Sequence, residues 1–470
     1  MALSIKPYIE NKERIHLIGI GGVSMNSLAE LLLSKGVPVS GSDRLRTDVT
    51  ARLEALGASI TYEHRPENVE GASLIVRTAA VHDENPEIVR AHELGIPVME
   101  RAEAWGHIMR DYDNVVCLSG THGKTTSTSM MTMMTIEAQM DPTVMVGSNL
   151  PAIGGTLRIG GKGCFVAESC EYTNSFLRFA PTISVILNVE EDHLDFFKDI
   201  NDIIHSFHEF AELTPMNGRI VANHDDPNAM RAVAHIDRRI RTFGTTPDAD
   251  VYPTEVRDEN GYYRFTVNID SKEYAKVALS VPGRHNMLNA LACCAAAEFL
   301  GVPSEAAEKG LNKFTGSSRR FQLVGRMPNG ATVVDDYAHH PTEIKATLGA
   351  AAKLDYKHVH VLFQPHRYSR TESLAPLFGD AFDAADSVTV MDVYPAGEAP
   401  IPGISGKTVV ASILAHDPHK QVAWMPHRPE IVPYLVRKLE PGDLLITMGA
   451  GDVTSMGPAL AAALGGGSDE

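Results

Sequence analysis

Short apolar runs alternate with segments of helical spacing in the first part of the chain, from Arg14 to about Tyr112. The runs IHLIGI, VPVSGSD and SLIVRTAAV have the length and composition of buried strands. Between the first two lies MNSLAELLLSKG, which has helical periodicity and ends in Gly36. Repeated alternation of strand and helix predicts a doubly wound α/β domain with a parallel sheet.

The strand pattern starts again at NVVCLSG, which runs into a glycine-rich turn and a long methionine-rich helix from Thr125 to about Met140. The apolar runs CFVAES, TISVILNV and GRIVAN follow, and each has the length of a buried strand. In YYRFTVNIDSKEYAKVAL apolar and polar residues alternate, as in an antiparallel hairpin. We therefore predict a mixed sheet for this central region, which ends near Ser318.

A third start follows Arg319 and Arg320. The strand-like runs ATVVDDYAHHP, HVHVLFQP, SVTVMDVYP and DLLITMGAGD each end in residues that favour turns. The length of 470 residues also agrees with about 150 residues for each of three domains. We therefore expect an α/β protein with domains at residues 1–112, 113–318 and 319–470.

Charge and composition narrow the possible partners. The net charge of −17 argues against a protein that coats nucleic acid or binds an anionic membrane. The sequence contains no run of about 18 consecutive apolar residues, so it does not predict a transmembrane helix. The first residues, MALSIKPYIENKER, lack the apolar segment of a signal peptide, and the five cysteines form no CxxC pair. These features favour a protein of the reducing cytoplasm.

The first glycine-rich turn joins a strand to a helix and contains Gly19, Gly21, Gly22 and Ser24. Asp43 ends the next strand, about twenty residues further on, which is close to the dinucleotide-binding fingerprint. Glycines in such a turn let a diphosphate approach the helix N-terminus. The pattern indicates a site for a diphosphate but does not identify the ligand as a nicotinamide dinucleotide. The alternative is a tight turn that has only a structural role and binds no ligand.

The second glycine-rich turn carries a stronger signal because it lies between a strand and a long helix, as a phosphate-binding loop requires. Its lysine would neutralise the terminal phosphates, and its first threonine would bind Mg²⁺. Only two residues separate its glycines, whereas the standard phosphate loop has four. We predict that its residues bind a nucleoside triphosphate: Gly120, Thr121, His122, Gly123, Lys124, Thr125 and Thr126.

Further groups could complete a nucleotide and metal site. Glu168 ends the run CFVAE, where an acidic metal ligand is expected. His193 follows another buried strand. From chemistry alone, a structural role as a hydrogen-bonded histidine at a strand end is as plausible as a role as a metal ligand. Asn286 and Asn289 begin an alanine-rich helix and could contact an adenine or ribose.

Polar chemistry is concentrated after the strands of the third region. Tyr337 and His339 follow the first of them, and His366, Arg367 and Arg370 follow the second. If the second segment is helical, its two arginines share a face at i and i+3. Two guanidinium groups so placed form a receptor for a carboxylate or phosphate.

These motifs, taken in order, resemble the Mur ligase family. They are HLIGIGGVSM with SGSD, GTHGKTT, AESCEYTNSFL, NVEEDHLDFF, GRHNMLNA, RRFQLVG, DDYAHHPTE, FQPHRYSRT and DVYPAGE. The resemblance implies an N-terminal Rossmann-like domain that binds UDP, a central P-loop ATPase domain and a C-terminal Rossmann-like domain that binds an amino acid. It covers nearly the whole chain and agrees with the three starts of the strand pattern.

The resemblance also implies a reaction. ATP phosphorylates the lactyl carboxylate of UDP-N-acetylmuramate to an acyl phosphate, which the amino group of L-alanine attacks. The implied cofactors are ATP and Mg²⁺, which Mn²⁺ can replace, and the expected assembly is a monomer or homodimer. The resemblance implies that Thr125 and Glu168 bind a first metal ion and that His193 binds a second, and it assigns catalysis to Lys124, Glu168 and His193.

The resemblance distributes the remaining residues between the substrates. Asn286 and Asn289 would contact ATP, together with the phosphate loop. The amino acid would be bound by Tyr337, His366, Arg367 and Arg370. The UDP-sugar would be bound by Gly19, Gly21, Gly22, Ser24, Asp43, Glu171, Ser175, Arg320 and His339.

Two alternative functions stay open at this point. A related ligase attaches a recycled tripeptide to the same muramic acid and shares nearly all of the motifs. A nicotinamide-dependent oxidoreductase would use the first glycine-rich turn and Asp43, but it leaves GTHGKTT unexplained.

Overall fold

A computed structural model describes residues 3–327 and 330–463 of the chain. These residues form two compact units. The first runs up to Glu190 and adds Asn201–Val251 and Ala292–Gly310. The second comprises Glu191–Ile200, Tyr252–Leu291 and the chain from Leu311 onward. Within the described ranges, no helix combines the length and apolar character needed to cross a membrane.

The first unit begins with a five-stranded parallel sheet of order β3-β2-β1-β4-β5, and the predicted doubly wound pattern is confirmed for this part of the chain. The apolar side chains of Ile18, Ile75 and Ile88 pack together in its core. Its elements are α1 (Lys6–Glu10), β1 (Ile15–Ile18), α2 (Val23–Ser34), β2 (Val39–Ser42), α3 (Asp48–Ala55), β3 (Ser59–Thr61), β4 (Leu74–Arg77), α4 (Pro86–Glu93), β5 (Val98–Glu100) and α5 (Arg101–Met109).

The same unit contains a second set of strands in the order β12-β11-β10-β6-β9-β7-β8. All neighbours in this set are parallel except β7 and β8, which are antiparallel. Its elements are β6 (Asn114–Ser119), α6 (Lys124–Glu137), β7 (Thr143–Leu150), β8 (Gly155–Arg158), β9 (Cys164–Glu168), β10 (Ile183–Ile186), α7 (Ile200–Glu212), β11 (Arg219–Asn223), α8 (Pro227–Ala232) and β12 (Arg239–Phe243).

Among the described residues, four elements contain residues of both units, namely α7, whose first residue Ile200 belongs to the second unit, β13 (Val251–Glu259), α9 (Arg284–Phe299) and α10 (Ser304–Lys313). In the second unit, the alternating segment forms β14 (Tyr262–Ile269) and β15 (Lys272–Ala278). These strands are antiparallel, with a register shift between Val267 and Asn268, so the predicted hairpin is confirmed.

A six-stranded sheet of order β16-β17-β21-β18-β19-β20 forms the rest of the second unit, and only its edge strand β16 is antiparallel. Phe363 and Phe382 pack in one apolar cluster against this sheet, and Leu362 and Leu445 pack in another. Its elements are β16 (Gln322–Arg326), β17 (Thr332–Asp336), α11 (Pro341–Ala351), β18 (Val359–Phe363), α12 (Tyr368–Ser373), β19 (Ser387–Val390), α13 (Gly406–His416), β20 (Gln421–Trp424), α14 (Arg428–Lys438), β21 (Leu444–Met448) and α15 (Met456–Ala463).

Candidate active site

The phosphate-loop sequence forms the turn between β6 and α6, as its pattern predicts. Gly123 precedes the helix with φ of 84°, and Gly120 has φ of 146°. A Cβ atom at Gly120 would lie only 2.9 Å from the Cβ of Leu187, so both conformation and space favour glycine there. The turn presents the positive end of the α6 dipole, which is suited to a phosphate group.

Asn188, which follows β10, holds the phosphate loop from outside. Its Oδ1 accepts a hydrogen bond from the His122 backbone N–H at 2.7 Å, and its Nδ2 donates to the His122 carbonyl at 3.0 Å. Its own carbonyl accepts from the Thr121 N–H at 3.1 Å. The sequence analysis missed this residue, although it is the second-last residue of the predicted buried run TISVILNV.

Lys124 lies under the loop in a ring of oxygen acceptors. Its Nζ donates to the carbonyls of Gly120 at 2.6 Å and Thr121 at 3.0 Å. It also lies 3.2 and 3.0 Å from the two carboxylate oxygens of Glu171. Burial opposes its charge, but the carboxylates of Glu171 and Glu168 outweigh burial and raise the pKa of Lys124. The lysine is therefore cationic at neutral pH.

Thr125 and Glu168 bring two oxygen donors together beside the loop. The Thr125 hydroxyl donates to Oε1 of Glu168 at 3.0 Å. The other carboxylate oxygen accepts from the Gly147 N–H at 2.6 Å. A Cβ atom at Gly147 would lie 2.5 Å from Oε1 of Glu168, so only glycine leaves room for the carboxylate. A hydroxyl and a carboxylate are ligands of the kind that Mg²⁺ prefers.

Glu171 and Ser175 lie in the segment after β9, in the first unit. Ser175 donates to the Tyr172 carbonyl at 3.0 Å, and Thr173 and Asn174 both have φ of 56°. The two left-handed residues interrupt a short 3-10 segment at Tyr172–Arg178. The structure therefore joins Glu171 to the phosphate loop through Lys124, a contact that the sequence did not predict.

The first glycine-rich turn connects β1 to α2. The Gly21 N–H donates to Oδ2 of Asp43 at 2.8 Å, and the Arg44 N–H donates to Oδ1 at 2.7 Å. Gly19 has φ of 79°, and Gly22 is the N-cap of α2, with Ser24 in its first turn. These predicted UDP-sugar residues lie together, and Asp43 stabilises the turn directly.

The predicted arginine pair lies in the second unit, but the two residues are not on one helix face. Arg367 precedes α12 with φ of 65°, whereas Arg370 lies within the helix. Arg370 contacts Oδ1 of Asp192 at 2.7 Å, and Arg367 contacts Oδ2 of Asp195 at 3.1 Å. Burial opposes ionisation of Asp192, but Arg370 outweighs it and lowers the aspartate pKa.

The segment that contains His193 therefore lies beside the arginines. Nδ1 of His193 is 3.4 Å from an Arg370 nitrogen, and His193 has φ of 55°. Thr125 and Glu168 belong to the first unit and His193 to the second, and the role of His193 as a ligand of a second metal stays a prediction. A pocket of about 110 Å³ opens here, and its lining residues are Asp192, His193, Leu194, Asp195, Arg367, Ser369, Arg370, Ser373 and Leu374.

Imidazole rings lie next to the arginines in the same unit. The ring centroids of His339 and His366 are 5.7 Å apart, and His366 stacks on Tyr394 at 5.8 Å. Burial lowers the pKa of His339 to about 4 and that of His366 to about 3. Both rings are therefore neutral at pH 7 and able to accept a hydrogen bond.

Tyr337 and Arg320 are neighbours of this histidine group. The guanidinium carbons of Arg319 and Arg320 lie 4.9 and 5.1 Å from the centroid of the Tyr337 ring, and Tyr337 packs against His339 at 5.4 Å. The predicted residues Arg320, Tyr337, His339, His366, Arg367 and Arg370 thus occupy one region of the second unit.

Asn286 and Asn289 are buried in the first turns of α9, within the second unit. The Asn286 Nδ2 donates to the Pro282 carbonyl at 2.7 Å, and the Asn289 Nδ2 donates to Oδ1 of Asn286 at 3.2 Å. Their contact with ATP stays a prediction.

Comparison with known families matches three successive parts of the chain. Residues 14–113 match the Mur ligase family catalytic domain, residues 118–297 match the Mur ligase middle domain, and residues 319–451 match the Mur ligase glutamate ligase domain. The predicted α/β fold class with three domains is thereby confirmed.

Individual relatives extend over nearly the whole chain. The UDP-N-acetylmuramate–L-alanine ligase of Caldanaerobacter subterraneus is 45% identical over 450 residues, which are 96% of this chain and 97% of that protein. The ligase of the same name from Acetivibrio thermocellus is 45% identical over 95% of each chain.

Solved structures agree with these sequence matches. The crystal structure of the UDP-N-acetylmuramate–alanine ligase of Thermotoga maritima superposes with a TM-score of 0.82 at 28% identity, over 97% of this chain and 100% of that one. A murein peptide ligase from Psychrobacter arcticus superposes with a TM-score of 0.73 over 97% of this chain and 100% of that one. At 24% identity it shows a shared fold alone.

Proposed function

This chain belongs to the Mur ligase family, and from that membership we propose that it joins L-alanine to the lactyl carboxylate of UDP-N-acetylmuramate with ATP, in peptidoglycan precursor synthesis. The observation that carries the proposal is the 45% identity to ligases of that name over about 95% of the chain. The cytoplasmic location and the monomeric or homodimeric state expected from the sequence are part of the proposal.

The phosphate loop supports the ATP-dependent step. A carboxylate that attacks a triphosphate brings negative charges together, so catalysis depends on positioning and on neutralising that charge. Lys124 supplies a partly buried cation beside the N-terminus of α6, whose backbone N–H groups would face the phosphates. The lactyl oxygen then bonds to the γ-phosphorus, the bond to ADP breaks, and an acyl phosphate forms.

The donor set beside the loop fits Mg²⁺. The Thr125 hydroxyl and the Glu168 carboxylate are oxygen ligands 3.0 Å apart, within reach of one ion. When bound, Mg²⁺ or Mn²⁺ would neutralise charge on the phosphates. Gly147 orients the Glu168 carboxylate through its N–H group, which leaves Oε1 directed at Thr125. We include His193 as a second-metal ligand on the resemblance alone.

The pocket beside Arg367 and Arg370 supports a small amino acid as the second substrate. The guanidinium groups are suited to a carboxylate, because they already bind the carboxylates of Asp195 and Asp192. The volume of about 110 Å³ is well below the roughly 300–1,000 Å³ of pockets that enclose larger ligands. A pocket of this size accommodates a small amino acid.

The neutral rings of His339 and His366 suit the second step. Alanine attacks as a free amine, and an uncharged imidazole accepts a hydrogen bond from the amine where an imidazolium would repel its ammonium form. The amine nitrogen adds to the acyl carbon to form a tetrahedral intermediate, which collapses as the acyl C–O bond breaks. Phosphate leaves with the bonding electrons, and the proton lost by the nitrogen passes to the leaving phosphate. Tyr337 packs against His339 and fixes the ring orientation.

The UDP-sugar has two groups of predicted contacts in the first unit. The turn at Gly19–Ser24 presents the N-terminus of α2 for a diphosphate. Glu171, which contacts Lys124, and Ser175 in the same segment after β9 are proposed for the muramoyl part. Arg320 and His339 of the second unit complete the proposed set. The nicotinamide reading is not favoured, because the family matches extend from residue 14 to residue 451.

The test is phosphate release from ATP with Mg²⁺ and UDP-N-acetylmuramate, with and without L-alanine, followed by the product mass. We expect release that requires both substrates and a product that gains one alanine residue. Removal of divalent ions with EDTA is expected to stop the reaction, and added Mg²⁺ or Mn²⁺ to restore it. Release supported by a tripeptide but not by alanine would replace the proposal with the recycling ligase.

A further inference from the structure

Two histidines and an aspartate meet at the amino-terminal edge of the six-stranded sheet. His358 precedes β18, His360 is its second residue, and Asp443 directly precedes β21. Nδ1 of His358 lies 3.0 Å from Oδ1 of Asp443, and Nε2 of His360 lies 3.1 Å from Oδ2. All three residues belong to the second unit.

The cluster is distinct from the candidate active site. The reactive side chains His366, Arg367 and Arg370 follow the carboxyl end of β18, whereas this cluster lies at its beginning. The five residues of β18 separate the two ends by about 16 Å at roughly 3.3 Å per residue. No step of the proposed ligase reaction uses these three residues.

The ligand atoms have the spacing of a metal site. One nitrogen from each histidine and one carboxylate oxygen all lie within 4.8 Å of one another. Ligands at about 2.1 Å from a tetrahedral ion are roughly 3.4 Å apart, so only small movements are needed to surround a cation. Two imidazoles and one carboxylate suit Zn²⁺ and its neighbours, whereas Mg²⁺ prefers oxygen alone.

The residues around the cluster also hold its side chains in place, as the second coordination sphere of a metal site does. Nδ1 of His360 lies 2.7 Å from the Ser387 hydroxyl. If Nδ1 carries the ring proton and donates a hydrogen bond to that hydroxyl oxygen, the Nε2 lone pair is available to bind a metal ion. Asp443 is only 1% exposed and is held by the Glu440 N–H at 2.8 Å. His358 is 51% exposed, so water can reach the remaining coordination positions.

We propose that His358, His360 and Asp443 bind a divalent first-row transition cation of the Zn²⁺ class. Ser387 is a positioning residue that orients His360. Because the ligands come from the starts of two adjacent strands, with Ser387 at the start of a third, the bound cation links β21, β18 and β19. Its role is to stabilise the sheet edge, and turnover does not depend on it.

The experiment titrates Co²⁺ into the full chain after EDTA treatment, follows the visible absorption of the ion, and repeats the titration with Zn²⁺ as competitor. We expect the wild type to bind one equivalent of Co²⁺ more than His358→Ala does. Added Zn²⁺ should raise the thermal-unfolding midpoint of the wild type but not that of His358→Ala. Ser387→Ala is expected to weaken binding by roughly 10–100-fold. Ligase turnover of His358→Ala should equal that of the wild type, which also verifies its fold.

The matched control is His416→Ala. His416 is a half-exposed histidine of the same unit, and its Nε2 pairs with Asp383 at 3.2 Å without a second histidine in that pair. It should keep the wild-type stoichiometry and midpoint. Equal Co²⁺ binding by the wild type and His358→Ala would overturn the proposal. The cluster would then be a hydrogen-bonded network that binds no metal ion.

Discussion

The ammonium group of Lys124 lies 3.0 and 3.2 Å from the two carboxylate oxygens of Glu171. The lysine that we propose for phosphate binding is therefore paired with a carboxylate from the segment after β9. A triphosphate that enters the loop competes with Glu171 for the same cation. Nucleotide binding is thus coupled to the position of a residue in the proposed muramoyl site.

Glu171→Gln tests this competition. Removing the carboxylate charge frees Lys124 and removes repulsion of the phosphates, which is worth at least about 1 kcal/mol at 4 Å. We expect the Kd for ATP, measured by calorimetry without the UDP-sugar, to fall by about fivefold or more. The control is Glu137→Gln, because Glu137 pairs with Lys309 at 2.8 Å near the other end of α6. An unchanged or higher Kd for Glu171→Gln would contradict the competition.

Lys124→Ala removes the cation itself. We expect turnover to fall by at least about 10²–10³-fold, because the ammonium group that bonds the loop carbonyls of Gly120 and Thr121 is lost. Steady-state phosphate release measures the effect, and circular dichroism verifies the fold. Lys309→Ala is the control, since it removes an exposed lysine from an ion pair of the same unit and should retain wild-type turnover. Near-normal turnover of Lys124→Ala would rule out the phosphate-loop assignment.

Arg370→Ala tests the amino-acid site. We expect the KM for L-alanine to rise roughly 10–100-fold, as for the loss of a charged hydrogen bond, with a much smaller change in the KM for ATP. The variant also leaves Asp192 buried without its partner, which lowers stability.

Two further variants separate these effects. The double variant Asp192→Asn with Arg370→Ala should recover the thermal midpoint but not the KM for alanine. Arg264→Ala, which breaks an exposed ion pair with Glu259, should change neither value. A normal alanine dependence in the double variant would exclude Arg370 from the carboxylate site.

His285 gives a pH-dependent prediction. Burial, and to a lesser degree Arg320, lower its pKa from 6.5 to about 4. The unfolded chain therefore binds more protons than the folded chain between these values, and the stability due to neutral His285 is lost as the pH falls from 6.5 to 4. His285→Gln cannot take up the proton, so its thermal midpoint should fall less steeply between pH 7 and pH 5.

The control for this measurement is His205→Gln, at an exposed position of α7. It should follow the wild-type midpoints across the pH range. Identical slopes for the wild type and His285→Gln would show that His285 does not titrate with unfolding.

Local features of the fold and site followed from the sequence, whereas distant pairs did not. The strand, turn and helix around Lys124 are predictable because apolar runs, glycines and helical spacing act over a few residues. The contact of Lys124 with Glu171 joins residues 47 apart, and that of Arg370 with Asp192 joins residues 178 apart. Such pairs depend on how strands are ordered in a sheet, which spacing does not encode.

At Arg367, prediction from local spacing also failed. Helical spacing predicted that it shares a face with Arg370, but its φ of 65° places it before α12. Its carbonyl still accepts from the Thr371 N–H at 3.1 Å. At the same position the Arg367 N–H donates to the carbonyl of Tyr394, which lies beyond the end of β19, at 2.8 Å. This tertiary hydrogen bond joins residues 27 positions apart in the chain, a contact that local spacing does not predict.

Asn188 determines when the phosphate loop loses its conformational freedom. Its carboxamide bonds to both backbone groups of His122, so contacts within the protein itself fix the loop conformation. The entropy of fixing this backbone is lost once, during folding, and is not subtracted from the affinity for each nucleotide that arrives. A loop with only two residues between its glycines can therefore act as a rigid receptor.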